Sequence, residues 1–188
     1  MNLYYQKLEQ FIETLDEQTL RAVEDISIEK TFKKGDFILK QGDICKFSFT
    51  IIDGVARKFY NGDKKEMTTE FYFADDVALS FNSYLLQKPS EEVIECVTDL
   101  RVKCISRDNF QKVKQSFPKL VEYDLLFTEM YAAWLEERLF DFNVLSATER
   151  YTKLIQMSPK YFHQIKLTHI ASYLGISLET LSRIRSRI

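Results

Sequence analysis

Histidine is nearly absent from this chain: 188 residues contain two, His163 and His169, both near the C-terminus. A metal oxygenase built on a β-barrel needs clustered histidines with a carboxylate, so no metal site and no resident cofactor are expected. Cysteine is scarce too. Cys45, Cys96 and Cys104 show no CxxC spacing, which excludes a zinc ribbon or disulfide framework and leaves reduced, mostly buried thiols. No Gly-rich phosphate loop, GxSxG or HExxH occurs, so the common catalytic motifs are missing and the chain does not read as an enzyme. No apolar run approaches the length of a membrane span. The opening Met1-Asn2-Leu3-Tyr4-Tyr5-Gln6-Lys7 has no apolar signal core, so a cytoplasmic protein with no membrane partner is expected.

Aromatic residues are plentiful. With 15 Phe, 10 Tyr and 45% hydrophobic residues, the chain can fill one large or two modest cores. Charge is unevenly spread. From Ser146 onward seven Lys/Arg face two acids, a net of +5, which leaves −7 on the rest of a chain whose total is −2. A basic tail on an acidic body suits a phosphate-binding module beside a partner domain.

The tail carries the sharpest pattern. Leu167, Ile170, Ala171 and Leu174 keep helical spacing; Gly175 follows where a left-handed C-terminal residue belongs; Ser177 is a good N-cap for a second helix. There Leu181, Ile184 and Ile188 share one face, and Glu179, Ser182, Arg183 and Ser186 another. A short helix, a Gly turn and a helix with an apolar back and a polar front make a helix-turn-helix, whose second helix enters the DNA major groove. The predicted DNA-facing residues are Thr168, Glu179, Thr180, Ser182, Arg183, Ser186 and Arg187. His169 reads as a partly exposed or phosphate-facing residue.

Upstream, residues 3–26 read as one or two helices broken near Asp16. Short β-rich runs follow, with Gly35-Asp36 and Gly42-Asp43 turns, an Asp53-Gly54 hairpin signal, a turn at Asn61-Gly62-Asp63, a helical turn between Asp75 and Pro89, and closing strands at 92–97 and 100–105. Many short strands at regular spacing imply a small barrel or jelly roll. Ser106 caps a short helix, and Pro118 opens a long one from Lys119 to about Phe142 with two apolar stripes. One is Leu120, Tyr123, Phe127, Met130 and Trp134; the other is Val121, Leu125, Ala132, Leu135, Leu139 and Phe142. Two stripes suggest that one packs on the strands and one on a second copy. The 3,4,3,4 steps of the first predict the seam of a coiled coil at Tyr123, Phe127, Met130 and Trp134; burial of both in one core is the alternative. Asn143-Val144-Leu145 reads as a hinge, Ser146-Ala147-Thr148-Glu149 as a capping box for a helix to Met157, and Lys160–Lys166 as a connection with room for a wing strand.

Ile170-Ala171, Leu174-Gly175-Ile176 and Glu179-Thr180-Leu181-Ser182-Arg183 resemble the helix-turn-helix of bacterial Crp/Fnr transcription regulators, and the Gly-Asp turns followed by Asp-Gly resemble that family's cyclic-nucleotide-binding β-roll. The resemblance implies an α+β protein: an antiparallel, jelly-roll-like β-roll with a dimerisation helix at 1–142 and a winged helix-turn-helix at 143–188. It implies a homodimer on double-stranded DNA, with RNA polymerase as a further candidate partner. It also marks Glu179 and Arg183 as base readers, with Leu178 where many members carry a third, an Arg. No N-terminal cysteine cluster resembles the oxygen-sensing branch. For an effector, the resemblance points to Asp75, Asp76, Ala78, Leu79, Ser90 and Glu91, yet Ala74-Asp75 replaces the family's Gly-Glu and Ser90 its phosphate-binding Arg. A phosphate wants a guanidinium fork rather than acids, so in place of cyclic AMP the roll is expected either to hold an unidentified small molecule or only to present the dimer helix. The competing reading is a β-roll that acts through protein contacts, with a degenerate DNA-binding domain.

Overall fold

The computed structural model describes residues 3–63, 65–157 and 162–187. Helices α1 (Leu3–Glu13) and α2 (Glu17–Asp25) open the chain. They part where the Asp16 carboxylate turns back to accept the Thr19 N–H at 2.7 Å, an N-cap that satisfies an orphan donor. Strands β1 (Ser27–Phe32), β2 (Phe37–Leu39), β3 (Phe47–Asp53), β4 (Ala56–Asn61), β5 (Glu66–Tyr72), β6 (Val77–Ala78), β7 (Glu92–Cys96) and β8 (Leu100–Ser106) follow, with α3 (Phe81–Leu86) between β6 and β7. They form two antiparallel sheets, β1-β8-β3-β6 and β2-β7-β4-β5. Phe49, Ile51 and Val102 of one sheet meet Ala56, Ile94 and Cys96 of the other in a shared core, the two-layer arrangement expected of a jelly roll. All three cysteines are free and buried.

Asp53-Gly54 is not a hairpin. β3 pairs with β6 and β8 while β4 pairs with β5 and β7, so this turn carries the chain from one sheet to the other. Gly54 sits at φ 103°, and a Cβ there would clash with the Asp99 carbonyl oxygen; the glycine is required by close packing as well as by backbone conformation. The hairpin is β4–β5, turned at Asn61-Gly62-Asp63.

Ser106 caps α4 (Arg107–Ser116) by accepting the Asn109 N–H at 3.2 Å. Helix α5 runs Lys119–Val144, so Asn143 and Val144, read as part of a hinge, are helical, and of the three only Leu145 lies outside the helix. The capping box then forms as read: Ser146 N–H donates to Glu149 Oε2 at 2.7 Å and Glu149 N–H to Ser146 Oγ at 3.3 Å, opening α6 (Ala147–Met157). Helices α7 (Leu167–Leu174) and α8 (Leu178–Arg185) close the chain. Residues 162–166 hold no strand, and the remainder of the segment read as a wing lies outside the described residues. Among the described residues, no helix is long and apolar enough to cross a membrane.

The first stripe of α5 packs on the chain's own elements. Leu120 and Met130 are buried, and Tyr123, Phe127, Tyr131 and Trp134 are half-buried against the chain's own elements. Tyr131 stacks on Phe81 at 4.8 Å and on Trp134 at 5.7 Å. The other stripe is bare: Val121, Leu125, Leu135, Leu139 and Phe142 are all exposed, Leu139 to 64%. Both stripes keep a near-3.5 period, and only the roll's position on one side tells them apart.

Candidate nucleic-acid interface and roll lumen

Helix α7 ends as the sequence requires. Gly175 is left-handed at φ 67° and its N–H returns to the Ala171 and Ser172 carbonyls; Ile176 N–H also reaches the Ala171 carbonyl, at 3.0 Å. Ser177 Oγ accepts the Thr180 N–H at 3.2 Å and starts α8. Leu181 and Ile184 are buried in a core built with Tyr151, Leu154, Ile170 and Leu174, which fixes the rotation of α8. Glu179, Ser182, Arg183 and Ser186 are all exposed on the outer side, as are Thr168 and Arg187. Thr180 is half-buried, and its Oγ1 accepts from Arg183 Nη2 at 3.3 Å, so it steadies Arg183 more than it presents itself. Ile188 lies outside the described residues.

Not every cation of the basic tail is free for a partner. Arg150 donates to the Leu145 carbonyl at 2.6 Å and the Leu174 carbonyl at 3.1 Å. Lys153 pairs with Glu137 at 2.6 Å and Asp141 at 2.8 Å. Both therefore tie α6 to its neighbours, while Lys166, Arg183, Arg185 and Arg187 are exposed.

This unit is docked on the roll. β5 is the edge of its sheet, where unpaired backbone groups need partners. Ser172 of α7 supplies them: its Oγ accepts the Thr68 N–H at 2.8 Å and donates to the Glu66 carbonyl at 2.9 Å. Val55, Phe71, Phe73 and Val97 of the roll join the same core as α6–α8. Nothing in the periodicity marked Ser172, which lies on the polar side of its helix.

His169 belongs to this contact rather than to a phosphate-facing surface. It is half-buried, its Nδ1 has no hydrogen-bond partner among the described residues, and burial together with the Arg57 guanidinium pulls its pKa down to about 4. A histidine held neutral in the fold contributes stability that is present above its unfolded value of about 6.5 and lost as pH falls toward the folded value. We expect the melting temperature of the wild type to fall more steeply between pH 7 and pH 5 than that of His169→Gln. Parallel curves would remove His169 from the contact. Asp76, raised by burial to about 7, acts in the opposite sense, losing its contribution as pH rises, but it is common to both proteins and cancels.

Inside the roll, the residues named for an effector are scattered. Asp75 is exposed at a left-handed turn, φ 73°, Glu91 points to solvent, and Asp76 folds back to accept the Phe73 N–H at 2.7 Å. Ala78 and Leu79 are core. Only Ser90 joins a buried polar cluster, and the residue facing it is Ser80, 3.1 Å away, not Asp75.

The cluster itself comes from β4, β5 and β7. Lys58 lies directly across from Glu70, and its Nζ sits 2.6 Å from Glu70 and 3.5 Å from Glu92. Tyr131 donates to Glu70 at 2.9 Å and Ser80 to Glu92 at 2.5 Å. Burial alone would lower the Lys58 pKa, but Tyr72, Glu70, Tyr131 and Glu92 around it hold it well above the ordinary lysine value. These side chains point inward because Ala56, Lys58 and Tyr60, and across from them Glu70 and Tyr72, keep strand period 2.

Residues 29–117 match the cyclic nucleotide-binding domain family. FixK2 of Bradyrhizobium japonicum is similar over 86% of this chain and 84% of its own, with 19% identity and a TM-score of 0.71. The chain has the Crp/Fnr fold. The c-di-GMP responsive regulator CLP of Xanthomonas campestris matches 92% of this chain and 91% of its own at 13% identity and a TM-score of 0.70. Thermus thermophilus catabolite activator protein matches 94% and 85% at 20% identity and a TM-score of 0.57. No curated protein matches the chain in sequence. Within the Crp/Fnr fold this lumen is filled by its own side chains, two carboxyl groups around one ammonium, with Ser90 supplying no cation.

Proposed function

We propose that this chain is a homodimeric, sequence-specific DNA-binding transcription regulator whose effector is not cyclic AMP. The observation that carries the reading is α8: an apolar back locked into a core and an exposed front of Glu179, Ser182, Arg183 and Ser186. The exposed stripe of α5 supplies the two-fold axis, so that two α8 helices address half-sites about 34–36 Å apart. Helices α7 and α8 are held by Ser172 to β5, and β5 carries Glu70 in the lumen two residues from Thr68. An effector that prefers one setting of that strand shifts the placement of α8 by its differential affinity for the two settings. No step of this reading is catalytic. A roll acting only through protein contacts does not account for a polar front above a rigid apolar back.

Arg183 tests the reading. Its guanidinium fork matches guanine O6 and N7. Arg183→Ala should cost about 1–3 kcal/mol on the specific site and relax preference at one base pair per half-site. Selected-site binding followed by competition against random duplex measures both. An equal proportional loss on specific and random DNA means that Arg183 touches phosphate only; no salt-dependent DNA binding by the wild type overturns the function itself.

A further inference from the structure

A cavity of about 640 Å3 lies outside the roll lumen, between α2, the outer face of the first sheet and the N-terminal half of α5. On β3 the inward positions Phe49 and Ile51 fill the core, so Ser48 and Thr50 point into the cavity. Its walls are apolar: Leu20 and Val23 from α2, Ile105 from β8, Phe110 from α4, Leu120 and Phe127 from α5. Folded interiors keep few voids larger than a water molecule, and pockets of several hundred Å3 with apolar walls and a few convergent polar groups are the ordinary form of a small-molecule site.

The charges at its edge are unequally matched. Glu24 pairs with Lys103 at 2.7 Å and Glu17 with Arg21 at 2.5 Å, and Asp124 pairs with Lys114. Arg107 is left over. Among the described residues its one ion-pair contact is a 3.9 Å approach to Asp108, a side chain 82% exposed. Tyr84 and Ser48 line the same cavity as Arg107. A guanidinium at the edge of an apolar cleft, with two hydroxyl groups on the same lining, matches a carboxylate in shape and charge.

We propose that this cavity binds an amphiphilic monocarboxylate, its apolar body lodged between α2 and α5 and its carboxylate held by Arg107, Tyr84 and Ser48. The site is separate from the lumen and does not depend on DNA binding. Dodecanoate is a suitable probe, with dodecanol as the same chain without the charge. Calorimetry on the full chain, below the micelle concentration, should give one dodecanoate per chain with a dissociation constant near or below about 10 μM, and dodecanol weaker by roughly tenfold or more, since a charge-assisted contact is lost. Arg107→Gln should bring dodecanoate to the level of dodecanol and leave dodecanol unchanged. Leu20→Trp, at a position already 43% exposed and therefore tolerant of a larger side chain, should block both probes. The proposal is overturned if dodecanoate shows no saturable binding up to about 100 μM, the weak end for a pocket of this kind, if Arg107→Gln binds both probes as the wild type does, or if Leu20→Trp leaves both unchanged.

Discussion

Replacing Leu135 and Leu139 together by Asp should turn a dimer into a folded monomer. Both side chains are exposed in the single chain, Leu139 to 64%, so neither substitution disturbs the roll. In a paired α5 they lie in the seam. Val121, Leu125, Thr128, Ala132, Leu135, Leu139 and Phe142 step alternately by four and three along the helix, the repeat of a two-stranded coiled coil. Burying an unpaired carboxylate there costs several kcal/mol per site, so the dissociation constant should rise by at least about a thousandfold. Sedimentation at micromolar concentration reads the change, and an unchanged thermal transition of the roll shows that the loss is one of assembly. Trp134→Asp makes the contrast: Trp134 stacks on Tyr131 of its own chain at 5.7 Å, and that variant should lose stability as well. Wild-type monomers at tens of micromolar, well above the range of a stable dimer, would refute the seam.

Local grammar was legible where a residue satisfies its own neighbourhood. Asp16, Ser106, Ser146 with Glu149, Gly175 and Ser177 each sit where an orphan backbone group or a left-handed turn needs them, and a cap is a three-residue problem. The apolar back of α8 was legible for the same reason, since Leu181 and Ile184 fix a face by spacing alone. What failed depends on elements far apart in the chain. Asp53-Gly54 is a hairpin signal by composition, yet its flanking strands choose different partners because β8, some fifty residues on, takes one side of β3. The stripes of α5 have one period and two destinations. Ser172 reads as a surface serine until the bare edge of β5 is placed beside it. The inward turn of Lys58 and Glu70 follows from strand alternation, but that they meet depends on the pairing of β4 with β5.

That lumen gives the other large effect. Lys58→Met should destabilise the roll by about 3–5 kcal/mol, the ordinary cost of removing one partner from a buried ion pair. Lys58 is 2% exposed and Glu70 6%, so water cannot replace the ammonium. Two carboxyl groups would then share the space, with Glu92 already engaged by Ser80 and Glu70 left with Tyr131 as its donor. The loss should be specific to the orphaned charge rather than to volume, since Met fills much of the lysine stem. Adding Glu70→Gln to Lys58→Met should therefore restore a large part of the stability, giving a coupling energy that a double-mutant cycle isolates. Chemical denaturation of the four proteins measures it. A single-variant cost below about 1 kcal/mol would mean that the pair behaves as an exposed one and that the lumen admits water or a counter-ion. The same measurement bears on cyclic nucleotides: a cavity in which removing its one ammonium is this costly holds that cation for its own carboxylates, and offers a phosphate only the negative charge that remains.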